Sequence, residues 1–122
     1  MPMTSWPELH ELIWLFESEP TVEYEDLGWP VSAAMFETSR DAWMIRCTIR
    51  VYDYSVEIQC SHDDGSSVAM SLRSVVEAIE VDRSSGSESL LIRSSAASGL
   101  APVPALTVKL DDTYRAAAER SV

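Results

Sequence analysis

The spacing of apolar and polar residues predicts one amphipathic helix near the amino terminus. Its apolar stripe recurs at three- and four-residue intervals and consists of Leu9, Leu12, Ile13 and Phe16. Ser5 and Glu8 have the spacing of a capping box, in which each side chain satisfies a backbone amide at the helix start. Pro20 ends the pattern. Trp14 and Leu15 lie beside the stripe, where they either complete the edge of the core or stay exposed as contact residues.

Beyond residue 21 the pattern alternates with a period of two, as it does in strands that bury one face. The clearest pair of strands lies in 42–61. Further strand-like runs are VSAAMFE (31–37), VAMSL (68–72), VVEAIEV (75–81), SLLIR (89–93) and LTVKLD (106–111). The segment 94–105, rich in small residues and proline, is expected to form a loop or an extended crossing, and TYRAAAER (113–120) a short helix.

These elements predict a single α+β domain that spans residues 1–122. We expect a curved antiparallel sheet of about seven or eight short strands, with the amino-terminal amphipathic helix packed on one face and a short carboxy-terminal helix. At 13.6 kDa the chain has the usual size of one domain and is long enough to bury one core.

The register of the strand pair in 42–61 follows from the parity of its apolar positions, which are odd-numbered before the turn and even-numbered after it. A two-residue loop at Asp53 and Tyr54 therefore places Cys47 opposite Cys60 on the buried face. A cross-strand disulfide is conceivable in that geometry. Reduced core cysteines are favoured, because the cytoplasm keeps thiols reduced and free cysteine is usually buried.

The net charge of −11 is concentrated at one end of the chain. Residues 1–39 contain eight acidic residues and no basic one, and so contribute −8 of the −11. Such a field repels nucleic acids and anionic membranes and steers a basic partner toward the protein. The alternative is that the acidic residues serve solubility alone.

No stretch of the sequence carries a motif for catalysis or for a cofactor. P-loop, GxGxxG, GxSxG, HExxH and CxxC patterns are absent, so we expect no catalytic residue, no metal and no cofactor. His62, Asp63 and Asp64 could hold a metal or supply a base, but Asp and Gly are also what a turn between strands requires, and the turn is favoured. With no apolar run of bilayer length and no basic leader, the protein is expected in the cytoplasm.

Aromatic residues accompany the acidic ones in the amino-terminal region, which is the composition of a surface that anchors a basic protein. We therefore predict a partner-binding site made of Trp14, Glu17, Glu19, Glu23, Tyr24, Glu25, Asp26 and Trp29. The competing interpretation is that small domains bury tryptophan in their cores, where Trp43 at least belongs.

The plan of a capped helix, acidic strands, a long hairpin and a final meander resembles the small β-rich immunity proteins of bacterial polymorphic toxin systems. The segments that carry the resemblance are WPELHELIWLFESEP (6–20) and LRSVVEAIEVDRSSGSESLLIR (72–93). The resemblance implies a non-enzymatic inhibitor that neutralises a cognate toxin, often a basic nuclease, by occluding its active site.

Two other functions are compatible with the sequence. The first is a small-molecule-binding or enzymatic α+β domain, with a pocket near His62 and with Asp63 or Asp64 as a further polar group. The second is a structural or adaptor subunit that forms a homodimer through Trp14 and Leu15.

Overall fold

The computed structural model describes residues 5–22, 26–83, 88–95, 99–101, 103–104 and 106–112, and this part of the chain contains one helix and nine strands. The helix α1 spans Leu9–Phe16. The strands are β1 (Thr21–Val22), β2 (Ala34–Arg40), β3 (Trp43–Arg50), β4 (Ser55–His62), β5 (Ser67–Leu72), β6 (Val76–Asp82), β7 (Ser89–Ser94), β8 (Gly99–Leu100) and β9 (Thr107–Asp112). Within these ranges, the helix is too short to cross a membrane.

The strands form two sheets, which confirms the α+β class but shows that the prediction of one antiparallel sheet is wrong. β1 to β5 make an antiparallel sheet in sequence order, and the second sheet has the order β6-β7-β9-β8. β9 runs parallel to β7 and pairs antiparallel with β8 on its other side. The break between the sheets falls at Ser74, whose φ of 61° turns the chain away from β5. The predicted helix at 113–120 lies outside the described residues, and the curvature of the sheet stays a prediction.

The amino-terminal helix begins later than the capping box predicts. Glu8 occupies the N-cap position, with no hydrogen bond from its side chain to the helix. Ser5 is engaged elsewhere: it forms a parallel bridge to Ala78 of β6, and its carbonyl oxygen accepts a hydrogen bond of 3.1 Å from the amide of Ile79. The capping-box prediction is therefore wrong, because pairing with the second sheet takes Ser5 away from the helix start.

The core joins the helix and both sheets into one apolar cluster. Leu12, Leu15 and Phe16 of α1 are fully buried, and the helix contacts β2 and β6. The Phe16 ring stacks on Phe36 of β2 with centroids 4.9 Å apart. The remaining buried members from the strands include Ile45, Ile49, Val56, Ile58, Val76, Ile79, Leu90, Ile92 and Val108. The helix thus contributes to the cluster that holds the two sheets together.

The β3–β4 hairpin keeps the predicted faces but not the predicted pairing. Ile49 lies opposite Val56 and Cys47 opposite Ile58, so the register is shifted by two residues. The turn is longer than two residues because Val51–Asp53 form a 3₁₀ turn and Tyr54 follows in the left-handed region. Asp-Tyr is a poor two-residue loop, since such loops need residues that accept positive φ.

The register shift makes Cys47 and Cys60 diagonal neighbours instead of direct partners, and both are free and buried. Diagonal positions in an antiparallel pair lie about 7–8 Å apart, beyond the usual reach of a disulfide. Burial, with a smaller contribution from Cys60, raises the pKa of the Cys47 thiol to about 12. Burial also raises the pKa of Cys60. Both thiols are therefore protonated packing residues at neutral pH.

We expect Phe16→Ala to lower the free energy of unfolding by about 3–5 kcal/mol, because it opens a cavity where the helix meets β2. Phe16→Leu, which keeps most of the volume, should cost less than about 1.5 kcal/mol. Urea unfolding followed by circular dichroism measures both. A loss below about 1 kcal/mol for the alanine variant would show that the helix does not hold the core as described.

The raised thiol pKa predicts a loss of stability at high pH. In the unfolded chain Cys47 ionises near its ordinary pKa of 9.0, whereas in the folded protein it stays protonated to about pH 12. The stability that is linked to the protonated Cys47 thiol is therefore intact below pH 9, and it is lost as the pH rises from 9 to 12. Between pH 8 and 10.5 the free energy of unfolding should fall by about 2 kcal/mol more in the wild type than in Cys47→Ala. Equal pH slopes in urea unfolding would contradict this.

Candidate protein-binding surface

The outer side of α1 presents one large aromatic residue and several carboxylates. Because the helix buries Leu12, Leu15 and Phe16, the ring of Trp14 points outward and is 39% exposed. Leu15, in contrast, has no exposed surface. The hypothesis of a homodimer through Trp14 and Leu15 is wrong in its second residue, since Leu15 belongs to the core.

The helix ends at an unusual residue for its conformation. Glu17 takes the left-handed conformation with φ 55° at the C-cap, a position that glycine normally fills. Arg40 of β2 donates a hydrogen bond from its Nη2 to the carbonyl oxygen of Leu15, which satisfies one of the free carbonyls of the last turn. This end of the helix therefore directs an exposed carboxylate outward at the cost of a strained backbone.

Trp29, which the sequence suggests as a partner anchor, has a structural contact in the folded chain. Its indole Nε1 donates a hydrogen bond of 2.9 Å to the carbonyl oxygen of Pro7, and its half-buried ring packs against the core. The residue thus fastens the segment that follows β1 to the chain that leads into α1. Its indole N–H is satisfied within the protein.

Around the Pro7–Trp29 contact, three apolar side chains are exposed. Trp6 is 41%, Leu27 55% and Val31 58% exposed, and each is within two residues of one member of the contact. We use "amino-terminal surface" for the exposed residues Trp6, Trp14, Glu17, Glu19, Asp26, Leu27 and Val31. Exposed apolar side chains accompanied by carboxylates in the same segments of the chain are compatible with a protein-binding surface.

Sequence reasoning found the acidic residues of this surface and Trp14 but missed Trp6, Leu27 and Val31. Trp6 and Leu27 lie outside any periodic pattern, and Val31 is the first residue of the predicted strand-like run 31–37, whereas β2 begins only at Ala34. Glu23, Tyr24 and Glu25, three of the predicted site residues, lie outside the described residues.

A basic residue from the second sheet lies on the amino-terminal surface. The guanidinium carbon of Arg83, which directly follows β6, is 3.7 Å from the centroid of the Trp14 ring. This is close contact for a cation–π interaction, whose limit is about 6 Å. Nothing in the local sequence indicates this pair, because its members are far apart along the chain.

The outer face of the five-stranded sheet has a different electrostatic character. Glu37 pairs with Arg46 at 3.0 Å, and Glu57 pairs with both Arg50 and Arg73 at 3.2 Å. Hydrogen bonds from Arg50 and then Arg73 lower the pKa of Glu57. Glu37 and Glu57 are thus neutralised locally, whereas Glu17, Glu19 and Asp26 of the amino-terminal surface form no ion pair with another described residue.

His62 and Asp64 form a tight turn at the end of β4. Asp64 Oδ1 lies 3.0 Å from His62 Nδ1 and accepts a hydrogen bond of 2.8 Å from the amide of Ser66. The hydrogen bonds from Ser66 lower the pKa of Asp64. The His62 ring packs edge-on against Trp43 with centroids 4.8 Å apart. Within the described ranges, no three His, Cys, Asp or Glu side chains group as metal ligands would.

A depression of about 360 Å³ on the outer sheet face is lined by Met44, Gln59 and Ser61 among others. Its lining does not include His62. The hypothesis of a pocket built on that histidine therefore gains no support from this depression.

Comparison with known proteins gives one match in fold. No protein-family model and no curated protein matches the sequence. Among solved structures, the chain is similar to a chain of the contact-dependent growth inhibition toxin–immunity protein complex from Klebsiella pneumoniae 342. The TM-score is 0.62 at 14% sequence identity, over 75% of this chain and 77% of the other. The match confirms, at the level of fold, the resemblance to toxin–immunity systems.

Replacing the residue at the helix end should separate strain from charge. A non-glycine residue in the left-handed region costs about 1–2 kcal/mol of stability, which glycine avoids. Glycine in turn lowers stability by about 0.4–1 kcal/mol, because it makes the unfolded chain more flexible. Glu17→Gly should therefore raise the free energy of unfolding by about 0.5–1 kcal/mol in urea unfolding. Glu17→Ala, which removes the carboxylate but keeps the strain, should not. A glycine variant no more stable than the alanine variant would contradict the strain.

Proposed function

We propose that this chain is a non-enzymatic immunity protein, which binds a cognate toxin and blocks its active site. The observation that carries the proposal is the fold shared with a chain of a toxin–immunity protein complex. Such a role requires no catalytic group. It requires a rigid surface that matches the toxin in shape and charge, and a preformed surface loses little entropy on binding.

The charge of the chain favours the immunity role over the toxin role within such a pair. Net charge is −11, and it is concentrated in the region that includes the amino-terminal surface. An acidic protein is repelled by nucleic acid, whereas it attracts a basic protein from a distance. We therefore infer that the partner is basic, and a nuclease-type toxin has the expected charge.

The amino-terminal surface is the proposed contact with the toxin. Glu17, Glu19 and Asp26 are exposed and would steer the partner, and Trp14 would be buried against it. Glu23, Tyr24 and Glu25 are part of the proposed site on the basis of sequence. Trp29 has a supporting role, since it fixes the segment that presents Leu27 and Val31.

The outer face of the five-stranded sheet is a weaker candidate for contact with a basic toxin. Its carboxylates Glu37 and Glu57 already pair with arginines. A basic partner would have to break those pairs or tolerate the arginines, which is unfavourable at close range.

The proposal predicts that the chain protects cells from a toxin. The natural candidate is a toxin gene beside the gene for this chain. Expressing that toxin in a test bacterium should stop growth, and co-expressing this chain should restore it. Growth arrest by this chain alone would assign it to the toxin role, and the absence of rescue in the presence of both proteins would contradict the immunity role.

Calorimetry on the same pair tests the charge mechanism. Glu19→Lys should weaken binding by about 1–2 kcal/mol at low salt and by less at high salt, because exposed charges are screened. The matched control is Asp53→Lys, which makes the same charge change at an exposed residue of the β3–β4 turn and should have a smaller effect. Equal losses for the two variants would place the contact elsewhere.

A further inference from the structure

The contact between Trp14 and Arg83 joins the helix to the end of a strand in the second sheet. Trp14 lies in α1, and Arg83 follows β6 in the second sheet. The guanidinium carbon lies 3.7 Å from the ring centroid, yet both residues are exposed. The indole face is thus already occupied by a cation at the edge of a surface proposed to bind a basic protein.

A carboxylate precedes this aromatic ring along the helix. Glu11 lies three residues before Trp14 within α1, and residues at this spacing are neighbours on a helix surface. An indole face with a carboxylate beside it suits a planar guanidinium, which stacks on the ring and donates hydrogen bonds at its edge. The chemistry of the site therefore fits an arginine side chain.

We propose that the Trp14 ring is the recognition site for an arginine side chain of the basic partner, and that Arg83 occupies this site in the free protein and is displaced on binding. The inference rests on the proposed function, since it takes the toxin as the source of the arginine. The displaced residue has a long, flexible side chain at the end of a strand, so it can swing away while the backbone stays in place.

The weakness of an exposed cation–π contact makes the exchange feasible. Such contacts are worth little where water reaches them and more where they are desolvated. Arg83 stacks on a ring that is still 39% exposed, whereas a partner's arginine would be buried with the ring in the interface. The partner's cation would therefore bind the same ring more strongly than Arg83 does.

The test compares three alanine variants in calorimetry with the neighbouring toxin. Arg83→Ala should tighten binding two- to five-fold, because the competing cation has gone. Arg73→Ala removes the same charge from the outer face of the five-stranded sheet and should have less effect. Trp14→Ala should weaken binding more than ten-fold, with circular dichroism confirming that it folds.

Weaker binding of Arg83→Ala would overturn the proposal, because it would make Arg83 itself a contact. Unchanged affinity of both Arg83→Ala and Trp14→Ala would overturn it as well, while leaving the immunity role in place. A wild type that does not bind the toxin would instead contradict the proposed function.

A measurement without the toxin separates the two failures. Hexaarginine is titrated into the protein while NMR follows the indole N–H signal of Trp14, assigned by its loss in Trp14→Ala. The signal should shift at lower peptide concentration in Arg83→Ala than in the wild type and in Arg73→Ala. A Trp14 signal that does not respond to the peptide in any variant would overturn recognition of arginine at this ring.

Discussion

The burial of one stripe of α1 against both sheets determines what the protein exposes. Leu12, Leu15 and Phe16 are fully buried, and each contributes about 1.5–3 kcal/mol relative to an exposed side chain. A helix that buries this stripe has no freedom to rotate, so Trp14 must face outward. The same packing sets the helix end, where Arg40 of β2 holds the last turn and Glu17 turns the chain. The geometry of the amino-terminal surface is therefore a consequence of the core.

The two surfaces differ in whether their carboxylates are paired with arginines. On the outer sheet face, Glu37 lies across from Arg46 and Glu57 lies diagonally from Arg50 on the neighbouring strand, and the charges cancel within a few ångströms. On the amino-terminal surface, Glu17, Glu19 and Asp26 form no ion pair with another described residue, and Arg83 stacks on Trp14. Unpaired carboxylates of this kind would guide a basic partner toward the amino-terminal surface.

The sequence predicts the features that depend on local periodicity. It does not predict the features that depend on contacts between segments far apart in the chain. The pattern of apolar residues identified strands β2 to β7 and β9, and it gave the parity of the β3–β4 pair, because alternate side chains of a strand face opposite environments. It could not show that the sheet divides at Ser74, or that β9 runs parallel to β7. Ser5 has the right neighbours for a cap and yet pairs with β6, since tertiary pairing outweighs a local signal.

The candidate site shows the same division. The acidic run and Trp14 are visible in the sequence, because charge imbalance and a residue beside an apolar stripe are local features. The sequence does not reveal the contact of Trp29 with Pro7 or the stacking of Arg83 on Trp14, because each contact joins residues that only the fold brings together. Composition therefore indicated the kind of surface, and the packing of α1 determined which residues form it.

Hydrogen–deuterium exchange with and without the proposed toxin partner tests most directly whether the amino-terminal surface is the contact. Amides in residues 5–22 and 26–33 should exchange more slowly in the complex, because the partner would cover α1 and the segment that carries Leu27 and Val31. Those of β4 and β5 should exchange at the same rate in both states. Protection confined to β3–β5, with none in α1, would place the toxin on the outer sheet face and contradict the assignment.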